Sequence, residues 1–120
     1  MADYLPKFKP GQAVTFTASA AVIGGRLVAV TGNRTVGPAG ADSAAVVGVA
    51  GFDAVIGESV TVYHGGVQRL TASAAIAAGA RVASAAAGKA VTLGALTNPI
   101  GLALQAATAD LDVIDVLIIN

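Results

Sequence analysis

From Ala13 to Ala18 apolar and polar side chains alternate, with Val14, Phe16 and Ala18 on one face of an extended chain and Thr15 and Thr17 on the other. That period of two marks a half-buried β-strand. Gly24-Gly25 turns the chain into a second apolar run, Arg26–Val30, and Gly32-Asn33 and Gly37-Pro38 read as further turns. Val46–Ala50 is apolar without interruption, the pattern of a strand covered on both faces. Ile56-Gly57-Glu58 turns into Ser59–Tyr63, and His64-Gly65-Gly66 reads as a hairpin tip leading into Val67–Leu70. Further strands are expected near Arg81–Ser84, Ala90–Leu93, Ile100–Leu104 and Asp112–Ile119. The alanine runs Ala74–Ala78 and Ala83–Ala87 are too short to hold a helix alone, and Gly79 and Gly88 stop them. They read as loops with at most a short helical turn. Strands separated by glycine-rich turns predict a mainly all-β chain, built as a small β-barrel or sandwich.

The pattern is duplicated. Thr17-Ala-Ser-Ala-Ala-Val-Ile-Gly-Gly returns as Thr71-Ala-Ser-Ala-Ala-Ile-Ala-Ala-Gly, an offset of 54 residues, and Val47-Gly48-Val49-Ala50 is echoed by Ile100-Gly101-Leu102-Ala103. Each half closes on an alternating strand. Neither half is large enough to bury a core alone, so residues 12–120 read as one β domain with an internal pseudo-repeat, its halves about 12–66 and 67–120. Nothing catalytic is duplicated; what repeats is scaffold.

Two segments depart from a simple barrel pattern. Residues 1–11 form an extended N-terminal arm, because Pro6 and Pro10 bar helix and ladder bonds. Tyr4, Leu5 and Phe8 are large apolar groups for a tail; either they dock on another surface or the arm folds back over its own barrel. Docking is the reading taken here, with Tyr4, Leu5, Pro6, Lys7, Phe8 and Lys9 as the contact segment and the lysines available to carboxylates on the partner. At the other end, Ile114, Val116 and Ile118 form one face of the last strand, while Val113, Asp115, Leu117 and Ile119 form the other with a single polar residue. Either this strand is central, or Val113, Leu117 and Ile119 meet a neighbouring subunit.

Composition sharpens that reading. Of 120 residues, 55% are hydrophobic and only 12% charged, mean hydropathy is +0.75, yet aromatics make up 4%. Much of the apolar fraction is alanine, and a buried methyl contributes about 0.8 kcal/mol against roughly 1.5–3 for valine or leucine. A thin core with little surface charge favours a subunit that packs on copies of itself or on a larger assembly. Net charge is zero and the basic residues are scattered, so no nucleic-acid footprint is present. Cysteine is absent, consistent with synthesis in a reducing cytoplasm. Asp3 and two prolines interrupt any signal-peptide pattern at the start. The uncharged stretch Ala90–Ala109 is broken by Gly94, Asn98-Pro99 and Gly101, which argues against a membrane span.

Candidate chemistry is sparse. His64, the one histidine, has no nucleophile or acid set beside it in the sequence. Asp110, Asp112 and Asp115 lack the glycine and terminal glutamate of a calcium loop, and alternation places Asp115 opposite the other two. Gly88-Lys89 fails as a phosphate loop because Ala83 and Ala90 stand where glycine and Ser/Thr are required. Asn33-Arg34-Thr35 fits a glycosylation sequon but reads as a turn. Catalytic, metal and cofactor sites are therefore assigned to no residue.

The opening Tyr4-Leu-Pro-Lys-Phe-Lys-Pro-Gly11, the block Gly48-Val-Ala…Asp53-Ala54…Gly57-Glu-Ser-Val-Thr-Val62, and the segments Gly65–Leu70 and Asn98–Ala103 resemble the capsid cement or head decoration proteins of tailed bacteriophages. Within these, the chain is similar to a family of small phage capsid proteins long known as a domain of unknown function. The resemblance spans essentially the whole chain. It implies a β-rich homotrimer on the outer surface of the mature head, clamping neighbouring subunits of the major capsid protein, with no enzymatic activity, no cofactor, and no nucleic-acid or membrane partner. Such a protein is made in the host cytoplasm and ends in the virion. The alternative is a small-barrel ligand-binding or carrier module; that reading needs a modifiable lysine at a hairpin tip, and Lys89 lacks the flanking acid or methionine.

Overall fold

In the computed structural model, which describes residues 4–119, ten strands and one short turn of 3-10 helix follow in sequence. The first five are β1 (Val14–Ala18), β2 (Leu27–Gly32), β3 (Thr35–Pro38), β4 (Val46–Ala50) and β5 (Ser59–Tyr63). The second five are β6 (Val67–Thr71), β7 (Arg81–Ser84), β8 (Ala90–Thr92), β9 (Pro99–Ala103) and β10 (Val113–Ile118), with the 3-10 turn Ala86–Gly88 between β7 and β8. Strands β1-β3-β2-β4-β5 close into a barrel, β5 returning antiparallel to β1 and β1 running parallel to β3. The second set, in the order β6-β10-β9-β7-β8, repeats the same antiparallel neighbours. Its closing parallel contact shrinks to one bridge, Ala72↔Ala90.

The duplicated phrases fold alike. Val22 bridges Ala54 in the first half, as Ile76 bridges Ala107 in the second. Gly25 N–H donates to the Ala50 carbonyl and Gly79 N–H to the Ala103 carbonyl, each at 2.8 Å. Gly57 N–H reaches Ala18 O as Leu111 N–H reaches Ala72 O, again both at 2.8 Å.

Two expected turns are corrected. Gly37-Pro38 lies inside β3, Gly37 opposite Ala29 and Pro38 opposite Val28. Proline is tolerated there because Pro38 ends the strand, where a missing N–H costs little. His64-Gly65-Gly66 is no hairpin tip either, since β5 pairs with β1 and β4 while β6 pairs with β10. Gly65 and Gly66 both adopt positive φ (67° and 62°) and hand the chain from one sheet to the other.

Two apolar clusters hold the fold. Phe16, Val22, Val28, Val36, Val60 and Val62 fill the first barrel. Leu70, Ile76, Val82, Ile100, Ile114 and Val116 fill the second half, joined there by Leu27, Ala29, Ala39 and Val49 from the first. The uninterrupted apolar run of β4 is thereby explained: Ala50 faces the first core and Val49 the second. Gly88 abuts the Leu27 carbonyl and Gly25 lies near the Arg69 carbonyl, so the start of β2 sits beside both edges of the second sheet. The first half thus covers the seam that β6 and β8 leave open. Polar contacts add to the join. Buried Ser84 donates to the Gly40 carbonyl (2.8 Å) and accepts from Ser43 N–H (2.9 Å), while the Asp42 carboxylate accepts from the N–H groups of Thr97 (3.2 Å) and Asn98 (2.9 Å).

Candidate interaction surfaces

The arm is anchored at one ring and projects beyond it. Arg34, in the left-handed region (φ 56°) at the turn between β2 and β3, donates to the Thr15 carbonyl. Its guanidinium carbon lies 5.2 Å from the Phe8 ring centroid and 5.4 Å from that of Phe16, so one cation links the arm to the barrel. Lys9 N–H donates to Gln12 Oε1 (2.8 Å), Gln12 N–H returns to the Lys9 carbonyl (3.0 Å), and the His64 ring Nε2 contacts the Gln12 carbonyl at 2.8 Å. Phe8 therefore folds back, half-buried, whereas Tyr4 and Leu5 are each 82% exposed, with Pro6 and Lys7 exposed beside them.

Strand β10 takes the first of the two positions its sequence allowed. It is central, lying between β6 and β9, and Ile114, Val116 and Ile118 point into the core. Its other face is open within one chain: Val113 and Ile119 are half-exposed and Leu117 is partly exposed.

A third apolar surface escaped the sequence reading. Ile23, Phe52, Val55 and Ile56 stand exposed on two loops joined by the Val22↔Ala54 bridge. Each lies singly or in a pair among turn residues, so no period betrays it. Beside them is a shallow groove of about 270 Å³ lined by Ala21, Val22, Asp53, Ala54, Val55 and Glu58. Both carboxylates there are tied by one oxygen to backbone, Gly24 N–H to Asp53 Oδ1 (2.8 Å) and Val55 N–H to Glu58 Oε1 (2.9 Å). These groups order loops and place no nucleophile.

The remaining candidate groups are structural. Asp110 pairs with Lys89, Nζ to Oδ1 at 2.9 Å, which ties up the lysine that a carrier would need free. The Asp112 carboxylate accepts from the Thr108 hydroxyl and N–H, both at 2.7 Å, and from Ala109 N–H. The structure thus spends Asp110 and Asp112 on local contacts rather than converging them with Asp115. Hydrogen bonds from the Thr108 hydroxyl and N–H hold Asp112 below the ordinary carboxylate value of 3.8, and the N–H groups of Asn98 and Thr97 do the same for Asp42. Since both folded values are depressed, the stability they confer is complete above the unfolded value and is lost as pH falls through the folded ones. Melting temperature is expected to hold from neutrality down to about pH 4 and to fall below it. The double variant Asp42→Asn, Asp112→Asn is expected to show a shallower acid slope; an unchanged slope would assign acid sensitivity to other groups.

Comparison with known proteins accords with this geometry. A family model described as phage cement protein matches residues 8–118. Among solved structures the chain is similar to the head fiber gp8.5 N base of bacteriophage phi29, with a TM-score of 0.71 at 21% identity, covering 89% of this chain and 92% of that one. At that identity the likeness is one of fold. No curated protein matches. Two like β halves with loops stitched by their own polar groups and apolar side chains left on the outside suit a building block, and by the match across nearly its whole length the chain belongs to the phage cement protein family, structural proteins of the phage particle.

Proposed function

We propose that this protein decorates the outer surface of the mature capsid and stabilises contacts between subunits of the major capsid protein, working as a homotrimer without cofactor or catalysis. The observation that carries this reading is the exposed apolar surface on a chain of the cement family, above all Tyr4 and Leu5, each 82% exposed at the end of an arm whose base is fixed. Residues 12–120 act as one domain carrying that arm, Tyr4, Leu5, Pro6, Lys7 and Lys9 contact the capsid while Phe8 holds the arm to the barrel, and Val113, Leu117 and Ile119 face a neighbouring subunit. The protein is made in the host cytoplasm and leaves in the virion.

The mechanism is mass action. A trimer touching several capsid subunits at once makes later contacts intramolecular, so modest contacts add up to firm attachment. A protein that binds only the expanded lattice stabilises that lattice by RT ln(1 + [L]/Kd) at each site. Fixing Phe8 against Arg34 lowers the ordering cost when the outer residues dock.

Cosedimentation tests this. The protein is expected to bind expanded heads and not unexpanded procapsids, and deleting residues 1–10 is expected to weaken binding at least about tenfold, or about 1.4 kcal/mol, with the melting curve nearly unchanged. Equal binding to both particle forms would rule out recognition of the mature lattice; full affinity without the arm would rule out its role.

A further inference from the structure

One row of outward-facing side chains crosses four strands of the second half. Leu117 on β10 stands opposite Val67 on β6 and Leu102 on β9, and Leu102 stands opposite Arg81 on β7. Val67 is 53% exposed, and Leu102 and Leu117 are partly exposed. The first half contains the same row by register: Tyr63 on β5 opposite Val49 on β4, and Val49 opposite Leu27 on β2. There the row is a docking surface already in use. Leu27 and Val49, 1% and 3% exposed, are buried in the core of the second half. What covers Leu27 and Val49 within the chain is a unit of the same fold, while Tyr63 at the end of the row stays half-exposed.

The neighbouring row carries a second difference between the halves. In the first barrel, Thr15 and Thr61 are register partners, and both are neutral. In the second half the same positions hold Arg69 and Asp115, directly opposite on β6 and β10. They form no ion pair with each other, Lys89–Asp110 being the one ion pair found among the described residues. A cation and an anion that form no ion pair therefore flank a partly exposed apolar row.

From these observations we infer that the row Val67–Leu117–Leu102 is the self-association surface, and that its occupant is a second copy of this chain with Arg69 of one copy meeting Asp115 of the next. This rests on the homotrimer reading above and names the face it uses. The cation sits on β6 and the anion on β10, so each copy offers its β6 side to the β10 side of a neighbour. Such a contact joins unlike patches and closes as a ring when the rotation between copies divides a full turn. Apolar contact supplies the attraction, and the charges fix the orientation and penalise wrong registers.

Sedimentation velocity on full-length protein across a concentration series tests it. Wild type is expected to be a trimer, whereas Leu117→Asp and Val67→Asp are expected to be folded monomers by circular dichroism, with association at least about 100-fold weaker. Val67→Asp keeps the test decisive should Leu117→Asp fail to fold, because Val67 is the more exposed. Arg69→Asp and Asp115→Arg are each expected to weaken assembly, and combining them in one chain to restore it. A monomeric wild type, or trimers that persist in both apolar-row variants, would overturn the proposal. Variants that stay trimeric but lose head binding would overturn it too, giving the row to the capsid instead. A trimer broken by Leu117→Asp in a protein that never binds heads would uphold the interface while removing the cement reading.

Discussion

Gly101→Ala is expected to destabilise the protein by about 3–5 kcal/mol, far beyond the weight of one methyl group. A Cβ at Gly101 would drive into the Leu117 carbonyl and lie 2.9 Å from Val116 Cγ1. Both obstacles belong to β10, which is paired on both sides and cannot step away without breaking with β6 or β9. Gly48 meets the same obstacles in the first barrel, the Tyr63 carbonyl and Val62 Cγ1, so Gly48→Ala is expected to cost a similar amount. Gly40→Ala is the matched control: the position is exposed, nothing lies within 4 Å, and the change is expected within about 0.5 kcal/mol. Urea denaturation of the three variants decides the matter. A loss below about 1 kcal/mol for Gly101→Ala would mean that the β9–β10 ladder gives way easily.

These glycines also show what a sequence can carry. The echo of Gly48 in Gly101 was visible as text, and it marks a shared steric need between adjacent strands. Period-two alternation located β1, β5 and β10, because a half-buried strand must alternate. It missed β3, whose four residues Thr35–Pro38 are half glycine and proline and so carry turn chemistry within a ladder. The Gly65-Gly66 pair announced a turn correctly but not its partner: Val67 finds Leu117 fifty residues on, not the strand just before it. Turn residues dictate local direction, whereas strand choice is settled by burial across the whole chain. The arm was legible as proline-bounded and apolar, yet its anchor was not, since the pairing of Phe8 with Arg34 depends on a left-handed turn at position 34. The exposed set Ile23, Phe52, Val55 and Ile56 left no trace because two separate loops assemble it.

Leu27→Ala is expected to cost about 3 kcal/mol, within the range of roughly 2–5 for emptying a buried leucine site. Its effect should fall on the half of the molecule to which Leu27 does not belong. The side chain is 1% exposed and packs in the second cluster, where the first half covers the open seam between β6 and β8. The first barrel closes through its own β1–β3 pairing and has no need of this residue. Hydrogen exchange should therefore accelerate in β6, β8 and β10 more than in β1 and β5. Val60→Ala, fully buried inside the first barrel, should show the opposite distribution. If Leu27→Ala loosened both halves equally, the seam would not be the point of support and the two halves would unfold as one unit. If it loosened only the second, the physical role of the duplication follows: one copy of the fold closes on itself, and the other, left ajar, is held shut by its twin.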